Sequence, residues 1–173
     1  MIIIKNAYLE YDALAHWIYK VKIFYQGGSI ENLKNIPFDY YPHLGSYIWA
    51  FFWKNSWLEY EYLGRLFFIF IFLICVFKLS NQLNNTFSKL QRILIVFVIT
   101  FFSTNTFLFG GYQEYLLFFC FYCFSNFFLK INNLNNYYKK NIIPELIILL
   151  ILNIFIWVKQ EGLFYFFILN FIF

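Results

Sequence analysis

The chain has 173 residues and a formal net charge of +4; 62% of its residues are hydrophobic, 27% are aromatic and 13% are charged. A typical soluble domain is about 45–50% apolar and about 25% charged, so a soluble globule of this size would expose large apolar patches. The composition argues against a soluble enzyme, a disordered linker and a disulfide-stapled secreted module. It predicts an all-α protein, a polytopic bundle of transmembrane helices.

Residues 7–25 have the pattern of an amphipathic helix. The apolar residues recur at helical spacing, and they are Leu14, Trp17, Ile18, Val21 and Tyr25. The opposite face is polar and consists of Asp12, His16, Tyr19 and Lys20. Gly27-Gly28 predicts the end of this helix, since one glycine suits the left-handed position that follows a helix. Such a helix can lie in a membrane interface with its polar face toward an aqueous cavity. The alternative is a solvated polar face with weak i,i+4 pairs.

A turn and a second short helix follow. Pro42 disfavours helical structure at Tyr41, so residues 38–43 are predicted to form an extended turn. The tryptophans of the next helix recur at i, i+4 and i+8; they are Trp49, Trp53 and Trp57. A stripe of this kind is more typical of an interfacial anchor than of a ligand platform.

Apolar runs occupy most of the remaining chain. Four of them are long enough, or nearly so, for the roughly 17–25 helical residues that cross a hydrocarbon core. These predicted spans lie at about 62–79, 93–109, 115–129 and 142–158. A fifth run, 163–173, is shorter and is interpreted as a truncated helix. Glu61 and Arg65 are spaced to form an i,i+4 ion pair at the mouth of the first span.

The loops between the spans carry unequal charge. The loops after the first and third spans lie on one side of the membrane, and their basic residues are Lys78, Lys89, Arg92, Lys130, Lys139 and Lys140. The other side receives Lys159 together with Glu114 and Glu161. Basic loops face the cytoplasm. Residues 1–61 are therefore predicted to be an extracytoplasmic loop segment with two interfacial helices, and residues 62–173 a transmembrane bundle.

Two classes of function find little support in the spans. No ionisable residue falls in the middle of any span, and proton or ion pathways usually need one there, so a pump or secondary transporter is disfavoured. Cys120 and Cys123 match a CxxC pattern only formally, because the pattern has neither a βαβ context nor a second pair. These thiols are predicted to pack as small apolar side chains.

Several short motifs lie in order on the side assigned to the outside. They are Glu10-Tyr11-Asp12-Ala13-Leu14-Ala15-His16-Trp17, Lys20-Val21-Lys22, Tyr41-Pro42-His43-Leu44, Gly111-Tyr112-Gln113-Glu114 and Lys159-Gln160-Glu161-Gly162-Leu163. Together they resemble elements of bacterial GT-C membrane glycosyltransferases, which are related to protein mannosyltransferases and to the lipid A aminoarabinose transferase. Glu114 stands where that family has Asp. The family also begins with a transmembrane helix and continues for several more spans, so the resemblance implies that this chain is a fragment.

The resemblance implies a reaction and two catalytic residues. A sugar would move from a polyprenyl-phosphate donor in the outer leaflet to a lipid, glycan or protein acceptor, with inversion at the anomeric carbon. Asp12 would be the general base for the acceptor. Glu114 would be a second acid that orients the acceptor or helps to bind a divalent ion.

The other residues that the resemblance implies bind the substrate. They are His16, Lys20, Lys22, Tyr41, His43, Arg65, Lys159 and Glu161. The cations among them would stabilise charge on the leaving lipid phosphate, and an arginine suits bidentate phosphate contact best. Glu161 would hold Lys159 in place. The histidine spacing gives no tight ligand cluster, so no metal site is predicted, although a divalent cation is left open as a cofactor.

The alternative prediction is a non-catalytic polytopic membrane protein, such as a scaffold, a flippase-like subunit or an inactive fragment. It would use the same helices and need none of the outward-facing acids. Both predictions place the chain in the cytoplasmic (inner) membrane as a multi-pass protein that contacts membrane lipids and no nucleic acid. In the enzyme prediction the active face is extracytoplasmic.

Overall fold

The computed structural model describes residues 9–34, 36–104, 110–133 and 143–172. Helices and turns make up these residues, and no strand occurs among them, which confirms the all-α prediction. Their α-helices are α1 (Ile18–Tyr25), α2 (Leu44–Lys54), α3 (Glu61–Gln82), α4 (Lys89–Thr104), α5 (Glu114–Asn133), α6 (Ile143–Val158) and α7 (Glu161–Ile172). A π-helix, Ala13–Trp17, leads directly into α1, and short 3-10 helices occupy Ile30–Leu33 and Leu83–Asn85.

The helix boundaries follow the predicted apolar runs. α3 contains the run 62–79, α5 contains the run 115–129, and α7 begins two residues before the run 163–173. α6 begins at Ile143, and residue 142 lies outside the described residues. α4 begins earlier than the run 93–109, at Lys89, and extends to Thr104, while residues 105–109 lie outside the described residues.

One helix is long and apolar enough to cross a membrane. Among the described residues, α3 alone meets this criterion, with 22 residues, and 39% of its apolar window is buried inside the fold. Shorter apolar helices occupy Glu114–Leu129, Ile143–Val158 and Glu161–Phe171. A single such helix fits a buried core helix as well as a span, so the polytopic bundle stays a prediction.

Successive helices pack side by side around one apolar core. α1 packs on α2, α2 on α3, α3 on both α4 and α5, α5 on α6, and α6 on α7. The buried side chains at the centre are spaced three or four residues apart; they are Phe68, Phe72 and Val76 on α3, Leu116, Cys120 and Phe124 on α5, and Ile148, Leu152 and Phe155 on α6. This spacing places each set on one helix face, so α3, α5 and α6 form the centre of the fold.

The N-terminal helix departs from its predicted faces. The π-helix Ala13–Trp17 closes its turns with i→i+5 hydrogen bonds in place of the i→i+4 bonds of an α-helix, which rotates the residues after it relative to those before it. Ile18 and Val21 are buried as expected. Leu14, however, is 49% exposed, and Lys20 is wholly buried. The prediction that Lys20 lies on a solvated polar face is therefore wrong.

The three tryptophans predicted to form one stripe have different surroundings. Trp49 is fully buried, and a Cβ added at Gly64 of α3 would come within 2.6 Å of its ring. Trp53 stacks on Tyr25 with ring centroids 4.2 Å apart. Trp57 lies beyond the end of α2 and is 98% exposed. The single stripe is wrong because α2 ends before Trp57, and of the three rings only that of Trp57 is open to its surroundings.

Two predicted turns have the expected conformation. Gly27 follows α1 with a φ of +85°, the left-handed conformation that commonly ends a helix. The amide of Tyr41 donates to the carbonyl of Phe38 at 3.1 Å, and no helix begins between this turn and Leu44. Phe38 has a φ of 59°, which is uncommon for a residue other than glycine. The turn therefore holds its backbone in a strained conformation.

Candidate functional site

The N-terminal segment is joined to the turn that precedes α5. The amide of Glu10 donates to the carbonyl of Gly110 at 3.0 Å. Gly111 follows with a φ of +87°, and a Cβ added to it would come within 2.9 Å of the Cβ of Ala13. Because glycine has no Cβ and adopts positive φ without strain, the turn can approach the segment that carries Asp12.

Lys159 lies with two acids at this junction. Its Nζ is paired with Glu114 and lies 3.7 Å from the Oε1 of Glu161, and the lysine side chain is 15% exposed. Burial alone would lower the pKa of Lys159. The hydrogen bond and charge of Glu114, together with the charges of Glu161 and Asp12, outweigh burial and raise that pKa above its usual value. Lys159 therefore stays protonated at neutral pH.

The electrostatics of Tyr112 place it in the same group. Burial raises the pKa of its phenol, and the charges of Asp12, Glu10 and Glu114 raise it further, while the charge of Lys159 opposes them. Asp12 thus acts on both the tyrosine and the lysine. We call Asp12, Tyr112, Glu114, Lys159 and Glu161 the acid–lysine cluster. In such a group a carboxylate can accept a proton, and the ammonium beside it can stabilise an anion.

A second group surrounds the buried lysine of α1. The Nζ of Lys20 donates to the carbonyl of Tyr41 at 2.6 Å and lies 3.4 Å from both the carbonyl of Asp39 and the Nδ1 of His43. It also lies 5.9 Å from the centre of the Trp17 ring. Burial lowers the pKa of Lys20 to about 8, against the charge of Asp39, which raises it. Lys20 therefore holds the turn 38–43 against α1.

Two histidines complete this group. Burial lowers the pKa of His43, and the charge of Lys20 lowers it further, while that of Asp39 raises it. The ring of His16 stacks on Tyr41, with centroids 5.1 Å apart. Within the described residues, the Nδ1 of His16 is buried without a hydrogen-bond partner. We call His16, Lys20, Asp39, Tyr41 and His43 the buried-lysine cluster.

Arg65 and Lys22 have different surroundings from the other predicted cations. Arg65 is 2% exposed and pairs with Glu61 at 2.8 Å, as its spacing predicts. Its guanidinium carbon lies 5.8 Å from the centre of the Trp49 ring. Lys22 is exposed on α1. Neither is part of the two clusters as defined, so the structure brings eight of the ten predicted site residues into two groups.

An apolar groove borders the buried-lysine cluster. It has a volume of about 830 Å³ and is lined chiefly by apolar side chains, among them Phe24, Ile30, Leu44, Tyr47, Ile154 and Trp157. His43 and Glu31 also line it. Trp157 lies two residues before Lys159, so the groove and the acid–lysine cluster lie at the same end of α6. The sequence does not reveal this groove, because its walls come from three separate segments.

A metal site needs several ligating side chains placed close together. Within residues 9–34, 36–104, 110–133 and 143–172, no group of three or more His, Cys, Asp or Glu side chains is placed to hold a metal ion. The divalent cation left open by the sequence stays a prediction.

Comparison with known protein families, with curated protein sequences and with solved structures found no significant match to this chain.

Proposed function

We propose that this chain is an integral-membrane glycosyltransferase that moves a sugar from a polyprenyl-phosphate donor to an acceptor on the extracytoplasmic side. The observation that carries the proposal is the acid–lysine cluster. It gathers Asp12, Glu114 and Lys159 from three segments far apart in the chain, and it keeps the lysine protonated beside the carboxylates. A proton acceptor and an anion-stabilising group are the two functions that the transfer needs.

The reaction would proceed in one displacement. The acceptor hydroxyl or amine attacks the anomeric carbon of the donor sugar, and the bond from that carbon to the phosphate oxygen breaks. The carboxylate of Asp12 takes the proton of the acceptor. The polyprenyl phosphate leaves with the bonding electron pair, and Lys159 stabilises its charge. Glu114 orients the ammonium of Lys159, with which it is paired.

The groove supports a lipid-linked donor. Its lining is mostly apolar, and its volume of about 830 Å³ suits part of a long hydrocarbon chain. A chain lying there would reach the end of α6 at Trp157, two residues before Lys159. The buried position of Lys20 reduces its value as a direct phosphate ligand. In this proposal Lys20 holds the turn that carries His43, and His43 lines the groove.

A multi-pass arrangement in the cytoplasmic membrane is part of the proposal. Two observations support contact with a membrane: α3 is 22 residues long and apolar, and Trp57 is 98% exposed shortly before α3 begins. The further passes rest on the apolar runs of the sequence alone. Exposed tryptophans are enriched at membrane interfaces. With the basic loops in the cytoplasm, both clusters and the groove lie at the outer face.

The test compares two variants in vesicles that contain the full chain. Asp12→Asn removes the proton acceptor with little change in shape, and Glu145→Gln is the matched control, an exposed acid in the first turn of α6. Transfer of labelled sugar from a polyprenyl-phosphate donor is measured. We expect at least a 100-fold loss for Asp12→Asn and parental activity for Glu145→Gln. Full activity of Asp12→Asn would refute the role of this residue as the base.

The second candidate function is a non-catalytic membrane protein. It is favoured by the pairing of Arg65 with Glu61 and of Lys159 with Glu114, because ion pairs that hold helix ends need no substrate. Absence of transfer by the parental chain, across donors of several sugars, would overturn the enzyme proposal in favour of this candidate.

A further inference from the structure

The side chain of Gln113 is fully buried at the meeting point of three helix ends. Its backbone carbonyl accepts the amides of Leu116 at 3.0 Å and Leu117 at 3.4 Å, so Gln113 is the residue that immediately precedes α5 and accepts its first hydrogen bonds. Its side chain points to the first turn of α2 and the last turn of α6, where Ser46 and Val158 lie. Gln113 lies within the motif Gly111-Tyr112-Gln113-Glu114, for which the resemblance implies a role for Glu114 and none for Gln113.

The amide of Gln113 is placed to satisfy both of these helix ends. In one orientation of the amide, its Nε2 donates to the Oγ of Ser46 at 3.3 Å. With the amide turned over, its nitrogen donates to the carbonyl of Val158 at 3.2 Å and its oxygen accepts from the backbone amide of Ser46 at 3.3 Å, so this orientation satisfies both helix ends. The first amides and last carbonyls of a helix have no partner within the helix. A buried helix end without a partner costs free energy, so one side chain stabilises two ends that would otherwise be left unsatisfied.

The side chain of Gln113 fits here because residue 45 is a glycine and has no side chain of its own. A Cβ added at Gly45 would come closer than 3.0 Å to the amide atoms of Gln113. Gly45 is itself buried, and so is Ser46. The amide of Gln113 therefore cannot move aside into solvent, and the glycine is needed for the contact between the three helices.

We infer that Gln113 is a positioning residue that sets the pairing of Glu114 with Lys159. Each partner of that ion pair is the immediate neighbour of a residue that Gln113 joins: Glu114 follows Gln113 itself, and Lys159 follows Val158. Fixing the carbonyl of Val158 to the start of α5 therefore fixes the distance between the two charged groups. The inference rests on the proposed function only in saying that the ion pair matters for sugar transfer. The contacts of Gln113 do not depend on that function.

The test reads the ion pair directly. Lysines of the full chain in detergent are methylated with a ¹³C label, the resonance of Lys159 is assigned from its loss in Lys159→Arg, and its titration is followed. Gln113→Leu removes the polar amide and keeps a comparable volume. We expect the titration midpoint of Lys159 to shift down by about one pH unit, because burial then outweighs a weakened pairing with Glu114. The matched control is Gln82→Leu, which removes the hydrogen bond of Gln82 to Asn126 between α3 and α5 and leaves the junction intact.

A single and a compensating double substitution distinguish loss of the Gln113 contact from simple misfolding. Gly45→Ala alone is expected to give the same downward shift, since the new methyl group displaces the amide. In Gly45→Ala/Gln113→Ser the shorter side chain makes room for the methyl group, and folding should be recovered without recovery of the Lys159 midpoint. An unchanged midpoint in Gln113→Leu, or an equal shift in Gln82→Leu, would overturn the inference. These outcomes do not depend on sugar transfer, so they are distinct from failure of the proposed function.

Discussion

Gly111 lies directly against the ring of Trp49. A Cβ added to this glycine would come within 2.7 Å of the Cη2 atom of the ring, and the φ of the residue is +87°. The turn before α5 and the helix α2 therefore approach more closely than any other residue type would allow. This contact places Tyr112 and Glu114 beside the N-terminal segment.

Two features require a glycine at position 111, namely the close contact with Trp49 and the positive φ. The first prediction separates their contributions to stability. Gly111→Ala should lower the free energy of unfolding by about 2–4 kcal/mol, since it adds a steric clash to the strain of positive φ. Gly27→Ala is the matched control, because Gly27 has a φ of +85° but no atom within 4 Å of the added Cβ. It should cost only about 1–2 kcal/mol. Denaturant unfolding in detergent measures both, and equal losses would contradict the close contact.

The second prediction concerns Lys20 and pH. Its pKa is about 8 in the folded chain and 10.5 as the ordinary value, so between these values the unfolded chain binds more protons than the folded one. Stability rises with pH wherever this is so. We expect the free energy of unfolding to increase by about 1–2 kcal/mol between pH 8 and 9.5.

The control for this pH dependence is Lys20→Met, which keeps the length of the side chain and cannot titrate. Its stability should lack that increase, whatever its absolute value. The titration of Lys159 does not interfere with the comparison of the parent and Lys20→Met between pH 8 and 9.5, because the pKa of Lys159 is raised above 10.5. Its stabilisation is fully present below its unfolded value and is lost only as the pH rises through the higher folded one. Parallel curves for parent and Lys20→Met would show that Lys20 is not buried as described.

The third prediction ranks the two acids beside Lys159. Glu114→Gln should lower the pKa of Lys159 more than Glu161→Gln does, since Glu114 supplies both a hydrogen bond and a charge. Glu161 lies 3.7 Å from the ammonium and is 58% exposed, so solvent weakens its effect. Titration of the labelled lysine measures both shifts, and the reverse order would show that Glu161 is the main partner.

The fourth prediction distinguishes two tryptophans that have the same helical spacing in the sequence. Trp49→Ala should cost about 3–5 kcal/mol of unfolding free energy, because it leaves a cavity in the core. Trp57→Ala should change stability by less than about 0.5 kcal/mol. In vesicles with brominated lipids, Trp57→Ala should also lower the amount of fluorescence that those lipids quench, while Trp157, which is 58% exposed, supplies the remainder. Quenching that is unaffected by Trp57→Ala would remove this residue from the membrane interface.

The helices α3 to α7 could be predicted from the sequence because each coincides largely with an apolar run. The run 62–79 lies within α3, and its Phe68 and Phe72, four residues apart, are buried in the core. Local turn chemistry was also predictable: Gly27 ends α1, and Pro42 keeps the turn before it out of a helix. The pairing of Glu61 with Arg65 followed from spacing on one helix.

The surroundings of the side chains could not be predicted in the same way. Lys20 is buried because the turn 38–43 packs against it, with the carbonyl of Tyr41 accepting from its Nζ, and no periodic pattern within one helix reveals a contact with a separate segment. Trp57 lies outside α2 because the helix ends after Lys54. The meeting of Glu114 with Lys159 depends on how α5 and α6 pack, although the alternation of spans had placed both residues on one side.

The buried amide of Gln113 has a consequence for the order of events during synthesis. Its two partners are separated by more than 100 positions in the chain, since one is Ser46 and the other is Val158. The first helices can therefore pack while the junction still lacks its last member. Lys159 and Glu161 emerge from the ribosome after every other residue of the acid–lysine cluster, so the cluster becomes complete only when the end of α6 and the start of α7 have docked. A chain that stopped short of α6 would retain Asp12 and the buried-lysine cluster without the cation that the proposed chemistry requires.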